Sequence, residues 1–368
     1  MSARCLFMLK RLMHKRERHY AMLNDNRVVR PFEWGTEFLP GESAGGDPRE
    51  VFADHTREVI AASDDYFSIP AAIEYKLEGR LFPSAASMNA DDLPQPPEQI
   101  EIPVLSWQSA VATPSAENNT AYATYFPHLG DRKAAVIILP HWNAKAGTYF
   151  ELARFFNKVG ITALRLTLPY HEERMPPELE RADHLVSPNI GRSLQSVTQA
   201  VKDTMAAAAW LREQGYEKVG IVGTSIGSCV AFLLFVHDRA IDAAVFNHVS
   251  GYMADVVWHG LSTYHVRKGF GDDITLDELR DCWLPVSPMA YFPKLATQGE
   301  RPQRYIYTLY DLSFPVHLSR ETMNALRRHK IKHSKATIPC GHYTLGEKPW
   351  VYLDGYKIIR FLHKHLKS

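Results

Sequence analysis

The sequence has few cysteines, almost no excess of charge of either sign, and no long hydrophobic run. Only four of the 368 residues are cysteine, and they lie far apart without a Cys-x-x-Cys pair, which excludes a disulfide framework. The formal net charge of +1 provides no strong field to attract nucleic acid or an anionic membrane. No apolar run approaches the length of a membrane span. We therefore expect a cytoplasmic protein with neither a nucleic-acid partner nor a membrane span.

The first hundred residues predict an N-terminal extension, residues 1–100, that is partly helical and rich in loops. Residues 1–21 begin with a few apolar residues and then become basic, which is the reverse of a secretory signal and indicates a frayed helix with a solvated face. We expect this helix to be dispensable, because it lacks an apolar face long enough to dock. Segments 39–50 and 91–103 contain many proline, glycine and acidic residues and predict loops, whereas residues 49–82 can hold one or two helices.

From residue 101 onward, apolar strands alternate with helices. Continuous apolar runs such as 134–140 and 161–166 are typical of strands that are buried on both faces, and residues 192–213 place apolar side chains on one helical face. Two earlier strands are expected to pair in antiparallel fashion. Repeated strand–helix units predict an α/β domain at 101–368, with a mostly parallel central sheet and helices on both faces.

A long connection at about residues 249–300 separates two of the predicted strands. Thr275 and Glu278 match a capping box, which begins a helix, so we expect a helical insert here that covers the sheet edge like a lid. The insert is unusually aromatic, and its rings either line a pocket or pack the insert onto the sheet. These rings belong to Tyr252, Trp258, Tyr264, Phe270, Trp283, Tyr291 and Phe292.

The segment Gly-Thr-Ser-Ile-Gly, residues 223–227, places a serine between two glycines. It lies between a short β-branched strand and an apolar helix, so the chain must turn tightly at Ser225. In that setting Gly-x-Ser-x-Gly is a nucleophile elbow, which raises the serine oxygen above the carboxyl edge of a parallel sheet. Glycine pairs at this spacing are common, so the motif needs support from the rest of the chain.

Two further strand ends carry residues that suit the same chemistry. Asp311 follows the predicted strand 304–310, and His342 follows the next one. The carboxyl ends of parallel strands meet at one edge of the sheet, where open α/β folds bind their ligands. We therefore expect Ser225 to be the nucleophile, His342 the general base and Asp311 the acid that orients it. Asp255, which follows another strand, is an alternative acid.

These motifs resemble the α/β-hydrolase superfamily over roughly residues 115–368, since the chain order Ser, Asp, His is the one found in that fold. The segment Leu-Pro-Tyr-His-Glu-Glu-Arg-Met-Pro, residues 168–176, is similar to the dienelactone-hydrolase and esterase/peptidase branch. Together with Gly-Arg-Ser-Leu-Gln-Ser-Val, residues 191–197, it resembles the group around abhydrolase-domain-containing protein 18. One departure is visible, because Trp142 occupies a position that is usually glycine in the superfamily.

The resemblance implies a serine hydrolase that cleaves a carboxylic ester, a thioester or a small amide through an acyl-enzyme. Backbone N–H groups of Ile226 and of either Trp142 or Asn143 would form the oxyanion hole. The side chains expected to contact the substrate are His141, Asn143, His171 and Arg174. Arg174 leaves two alternatives: it binds an acidic group of the substrate, or it holds its own loop through a neighbouring glutamate.

Two other functions share this fold, namely acyl transfer and binding without catalysis. The sequence predicts a small-molecule ester as the partner and no cofactor. It also predicts no metal site, since the pair His329 and His333 has no nearby carboxylate. It leaves the oligomeric state open.

Overall fold

The structure is a computed structural model, and it describes most of the chain. The described residues are 3–23, 26–41, 46–83 and 99–368, with the side chains of the first helix from Met8 onward. The predicted loops at 39–50 and 91–103 therefore lie partly outside the described residues.

The described residues include nine strands, which join in one sheet. The strands are β1 Tyr75–Pro83, β2 Gln99–Gln108, β3 Thr120–Phe126, β4 Ala134–Leu139, β5 Thr162–Thr167, β6 Lys218–Thr224, β7 Ala243–Asn247, β8 Gln303–Thr308 and β9 Ser334–Ile338. Their spatial order is β1-β2-β3-β5-β4-β6-β7-β8-β9. The pairs from β1 to β3 and from β3 to β5 are antiparallel, whereas all neighbours from β5 to β9 are parallel. The expected mostly parallel sheet is thereby confirmed.

Helices surround this sheet and connect its strands. Their bounds are α1 Ala3–Met22, α2 Pro48–Ala61, α3 Ser63–Tyr66, α4 Phe150–Lys158, α5 Ile190–Glu213, α6 Ile226–His237, α7 Met253–His259, α8 Tyr264–Phe270, α9 Leu276–Cys282, α10 Phe292–Ala296, α11 Val316–Arg328 and α12 Trp350–Leu366. None of the helices within the described ranges combines the length and the apolar character needed to cross a bilayer.

Two hydrophobic cores lie on opposite faces of the sheet. On one face α5 and α6 contribute buried residues such as Leu194 and Val230, and on the other α4 and α12 contribute Phe156 and Leu362. All six residues of β4 are buried between these layers, which explains its continuous apolar sequence. Burying each large aliphatic side chain contributes about 1.5–3 kcal/mol, so these layers hold the carboxyl ends of the strands in place.

The N-terminal extension contains a strand that the sequence analysis placed in a helical region. Helices α2 and α3 lie where helices were expected, but β1 follows them and pairs with β2. Tyr75, Leu77 and Leu81 are separated by two and four positions, which matches the two-residue period of a strand. Their alternation was the signal for β1. The sheet therefore continues across residue 100.

The first helix is docked, so the expectation of a frayed helix without a docking face is wrong, whereas its dispensability remains a prediction that only a truncation tests. Met13 and Ala21 of α1 are buried, and the side chain of Glu17 is fully buried as well. The expectation failed because it considered only apolar faces. The docking also involves the carboxylate of Glu17, which accepts hydrogen bonds from backbone groups far along the chain.

The region between β7 and β8 is a helical insert, as expected. Helix α9 begins with the predicted capping box, in which the hydroxyl of Thr275 and the carboxylate of Glu278 each accept the backbone N–H of the other residue. Phe270, Trp283 and Phe292 are completely buried. Trp283 donates to the carbonyl oxygen of Ile190 in α5, and Phe292 contacts Phe232 of α6, so these rings pack the insert onto the layer of α5 and α6.

Candidate active site

Ser225 lies at the sharp turn between β6 and α6. Its φ of 57° and ψ of −124° are strained for a residue with a side chain. The two flanking glycines are sterically required, because a Cβ on Gly223 would lie 2.0 Å from the carbonyl oxygen of Gly227. A Cβ on Gly227 would lie 2.5 Å from the carbonyl oxygen of Pro140. The turn thus holds Ser225 at the carboxyl edge of the sheet, where the sequence placed it.

Asp311 and His342 lie together at the same edge. Nδ1 of His342 is 3.2 Å from Oδ2 of Asp311, within hydrogen-bonding distance. The other carboxylate oxygen accepts the backbone N–H groups of Ser313 and Phe314 at 2.8 Å and 2.7 Å. The ring of Phe314 also stacks on the imidazole of His342, with 5.4 Å between the ring centroids. The loop after β8 is thus folded around the carboxylate, and it holds the imidazole on two sides.

The two groups stabilise each other's charge. Burial would raise the pKa of Asp311, but the imidazoles of His342 and His248 outweigh burial and hold this pKa well below its ordinary value. Burial would lower the pKa of His342, but the carboxylate of Asp311, with a smaller contribution from Glu17, raises it above the ordinary value. Asp311 is therefore an anion at neutral pH, and His342 is a stronger base than a free histidine.

His248 is a second imidazole at this carboxylate, and the sequence analysis did not single it out. Its Nδ1 lies 2.9 Å from Oδ2 of Asp311, but without the alignment of a good hydrogen bond, so we treat the contact as electrostatic. Burial lowers the pKa of His248. The sequence feature that could have identified His248 was its position directly after β7, at the same sheet edge.

Within the described ranges, one group of three potential metal ligands has its ligand atoms within 4.8 Å of one another: His248, Asp311 and His342. Both imidazoles face the same carboxylate oxygen, so the group coincides with the expected acid and base. The absence of a metal site remains a prediction.

Asp255, the alternative acid, has a different partner. Its carboxylate is buried and lies 2.7 Å from Nη2 of Arg280, while Nε of the same arginine donates a hydrogen bond at 2.9 Å. Between the two acids that the sequence left open, the geometry thus favours Asp311.

The loop after β4 carries three of the expected site residues, His141, Trp142 and Asn143. The backbone N–H of Asn143 donates to Nε2 of His171 at 2.8 Å, so it is already engaged. Of the two candidate oxyanion donors in this loop, the choice therefore falls on the backbone N–H of Trp142. The indole of Trp142 donates to the carbonyl oxygen of Ala182 at 2.8 Å, which fixes the ring at the cleft wall.

His171 lies beneath this loop, and a role in contacting the substrate is not supported. It is almost completely buried, and its Nδ1 lies 2.9 Å from the carbonyl oxygen of Pro169. Because Nε2 accepts from Asn143, the ring is neutral with its proton on Nδ1. Burial lowers its pKa to about 3. His171 is a support for the loop. His141 has a pKa lowered to about 4 by burial and lines the cleft itself.

Arg174 is fully buried and pairs with Asp203 on α5, with 2.9 Å between Nη2 and Oδ2. It also donates to the carbonyl oxygens of Thr167 and Asn118. Both sequence-based alternatives are therefore wrong: the guanidinium neither reaches the cleft nor pairs with a glutamate of its own loop. Glu172 pairs with Arg165 instead.

Two cavities meet at Ser225. The first is a partly open, mainly apolar pocket of about 40 Å³, with Ile226, Met253, Val256 and Val257 in its lining. The second, also partly open, has a volume of about 250 Å³ and is the more polar of the two. Its lining includes His342, Asn143, Tyr343, Arg27 and Arg181. Trp142 lines both. None of the seven aromatic residues of the insert, all within the described residues, lines either cavity; Met253, Val256 and Val257 of α7 line the apolar one instead.

The fold is shared with solved structures of hydrolases. An acetyl xylan esterase from Paenibacillus sp. R4 is 11% identical with a TM-score of 0.57, over 90% of this chain and 99% of that one. Acetyl xylan esterase 1 from Thermoanaerobacterium is 13% identical with a TM-score of 0.56, over 90% and 98% of the two chains. The acylaminoacyl peptidase of Pyrococcus horikoshii is 13% identical with a TM-score of 0.52, over 79% of this chain.

The chain spans 42% of the length of that peptidase. No protein-family profile and no curated protein matches the sequence. At these identities the likeness concerns the fold, and it identifies the architecture as an α/β-hydrolase fold.

Proposed function

We propose that the protein is a serine hydrolase that cleaves carboxylic esters with a short acyl group, through an acyl-enzyme. One observation carries the proposal: Ser225, in its strained turn, lines a cleft together with His342, whose Nδ1 is held by Asp311. The three residue types, their order in the chain and their strand-end positions are those of a nucleophile, a base and an orienting acid.

The reaction follows from the protonation states. Because Nδ1 of His342 donates its proton to Asp311, Nε2 is the basic nitrogen. It accepts the proton of Ser225 as Oγ attacks the ester carbonyl. The resulting tetrahedral intermediate collapses when His342 returns that proton to the departing alcohol. Water, activated by the same nitrogen, then attacks the acyl-enzyme and releases the acid. Asp311 stays ionised throughout and stabilises the imidazolium.

The backbone supplies the donors for the negative oxygen of the intermediate. Ile226 begins α6, so its N–H has no partner within the helix. We assign the second donor to the N–H of Trp142, in the loop after β4 that lines the cleft. Removing one such donor in an oxyanion hole costs about 3–4 kcal/mol of barrier height.

We assign the two halves of the substrate to the two cavities. The polar cavity contains His342, which must protonate the alcohol, so it receives the leaving group. The apolar cavity lacks His342 and receives the acyl group. Its 40 Å³ exceeds by only a few times the roughly 10–15 Å³ that one water molecule needs, which favours a short acyl chain.

The proposal is tested by labelling with a fluorophosphonate and by hydrolysis of p-nitrophenyl acetate. Wild-type protein should react in both assays, and Ser225→Ala in neither. Ser262→Ala is the matched control, because Ser262 lines both cavities but lacks the strained turn. It should label normally. Labelling of Ser225→Ala at the wild-type rate would contradict the proposal.

A series of p-nitrophenyl esters from acetate to decanoate tests the substrate class. We expect kcat/KM to decrease beyond about four acyl carbons, because the apolar cavity holds only a few groups the size of a water molecule. Equal rates over the series would contradict the short-chain assignment. Adding an alcohol acceptor distinguishes hydrolysis from acyl transfer, since a transferase would form the new ester in preference to the acid. The resemblance to the group around abhydrolase-domain-containing protein 18 remains a prediction.

A further inference from the structure

The N-terminal helix α1 packs against the loop that carries His342. This loop, residues 341–347, follows β9 and leads to α12. At its outer end Glu347 pairs with Arg16 of the helix, with 2.6 Å between Oε2 and Nη2. The helix thus contacts a segment more than 300 positions away in sequence, directly behind the proposed base.

Glu17 forms the centre of this contact. Its side chain is 0% exposed, and each carboxylate oxygen accepts a backbone N–H of the loop: Oε2 from Tyr343 at 3.1 Å and Oε1 from Thr344 at 2.8 Å. Gly341 allows this approach, because a Cβ there would lie 2.2 Å from Cδ of Glu17. The backbone on both sides of His342 is therefore shaped around one carboxylate.

The charge of Glu17 also reaches the proposed catalytic groups. The pKa of Glu17 is raised above its ordinary value: burial raises it most, the hydrogen bonds from Thr344 and Tyr343 lower it, Asp311 raises it and His342 lowers it. Burial lowers the pKa of His342, and Asp311 followed by Glu17 raises it. Burial raises the pKa of the Cys340 thiol and of the Tyr343 hydroxyl most, and Glu17 adds to that rise. Glu17 stands among basic residues in α1, but its own side chain is buried in the protein.

We propose that Glu17 is a positioning residue for His342: it fixes the backbone at residues 343 and 344 and places a negative charge behind the imidazole. This inference rests on the proposed function. It makes the N-terminal helix part of the catalytic apparatus. A helix that serves only for stability would need no buried carboxylate here, since a buried charge is costly unless it is well paired.

The test compares Glu17→Gln with wild-type protein in the pH dependence of kcat/KM for p-nitrophenyl acetate. Glutamine keeps the size and one acceptor oxygen but loses the charge and one backbone hydrogen bond. The pKa of His342 should decrease without the nearby anion, so the acidic limb of the profile should move to lower pH. Misplacement of the base should lower kcat by about 10- to 100-fold, with little change in KM.

Two controls separate positioning from stability. Arg16→Met breaks the exposed pair with Glu347 and should leave the pH profile unchanged. Met13→Ala removes a buried side chain of the same helix, so it should lower the melting temperature without moving the acidic limb. If Glu17→Gln behaves like Met13→Ala, or keeps the wild-type kcat and limb, the inference is overturned.

Glu17→Asp keeps the charge but moves it away from the loop by the length of one methylene group. This variant replaces Glu17→Gln in the test if the glutamine variant does not fold. Its kcat should decrease while the acidic limb stays near the wild-type position, and a wild-type kcat would refute the role. Failure of the proposed function is separately visible, because wild-type protein would then not react with the fluorophosphonate.

Discussion

Asp311 and Asp354 are both buried near the same edge of the sheet, but their surroundings shift the pKa of the carboxyl group in opposite directions. Asp311 faces two imidazoles, two backbone N–H groups and the hydroxyl of Thr308, and its pKa lies well below the ordinary value. Asp354 of α12 accepts one hydrogen bond, from the amide of Asn247 at 2.8 Å. Burial raises its pKa to about 7.

The difference shows that burial by itself does not decide the charge of an acid. Burial opposes ionisation in both regions, and only at Asp311 do the partners outweigh it. Asp203 extends the comparison: burial raises its pKa, and the neighbouring Arg174 and the hydroxyl of Ser109 oppose this rise without outweighing it. We therefore expect the three carboxylates to respond differently when the acid or its partner is replaced.

The largest effect should come from Asp311→Asn. An amide cannot hold His342 in the tautomer that leaves Nε2 basic, and the equivalent change in a serine protease lowers kcat by about 10⁴-fold. Steady-state kinetics on p-nitrophenyl acetate measure this. Asp255→Asn, at another strand end, is the control and should keep kcat within about tenfold of wild type. The assignment of the acid is wrong if the Asp255 variant loses more activity.

The next largest effect concerns stability. Arg174→Met leaves the carboxylate of Asp203 buried without its cation, which should lower the free energy of unfolding by about 3–5 kcal/mol. Arg80→Met removes an exposed partner of Glu173 and should cost no more than about 1 kcal/mol. Urea denaturation of both variants gives the comparison. Equal losses would mean that the buried pair has no special role.

Asp354→Asn should stabilise the protein in a manner that depends on pH. The pKa of Asp354 is about 7 in the folded state and 3.8 as the ordinary value, so the folded state binds this proton more tightly. Stability therefore decreases as pH rises from about 4 to 7. A neutral amide removes that penalty, with a gain of at most about 4 kcal/mol at pH 8 and almost none at pH 4. Melting temperatures at both pH values measure this, and equal shifts would contradict it.

The smallest effect should follow from His248→Asn. Asparagine tolerates the positive φ of 63° at this position, and its amide can face Asp311 as the imidazole does. His248 lines neither cavity that contains Ser225, so kcat should decrease by less than about tenfold, whereas His342→Asn should lose about 10³-fold or more. Comparable losses would show that both imidazoles take part in proton transfer.

The sequence by itself determined most of the sheet and the placing of the three expected catalytic residues. Apolar runs, helical periodicity and capping signals are local, so they predicted β4, β6, α5, α12 and the capping box of α9. Ser225, Asp311 and His342 were identified because each follows a strand, and parallel strands bring their carboxyl ends to one edge. The strand β1 was also visible, in the alternation of its residues, but was not recognised.

Only the tertiary structure decided which polar residues are buried and with what partner. Arg174 has the composition of a cleft residue but is buried against Asp203, 29 positions away in sequence. Glu17 stands in a basic segment that resembles a solvated helix, yet it accepts hydrogen bonds from residues more than 320 positions away. A lone charged residue has no period or spacing that reveals its partner. Its burial depends on a donor that the fold brings to it, because a buried charge is stable only when it is paired.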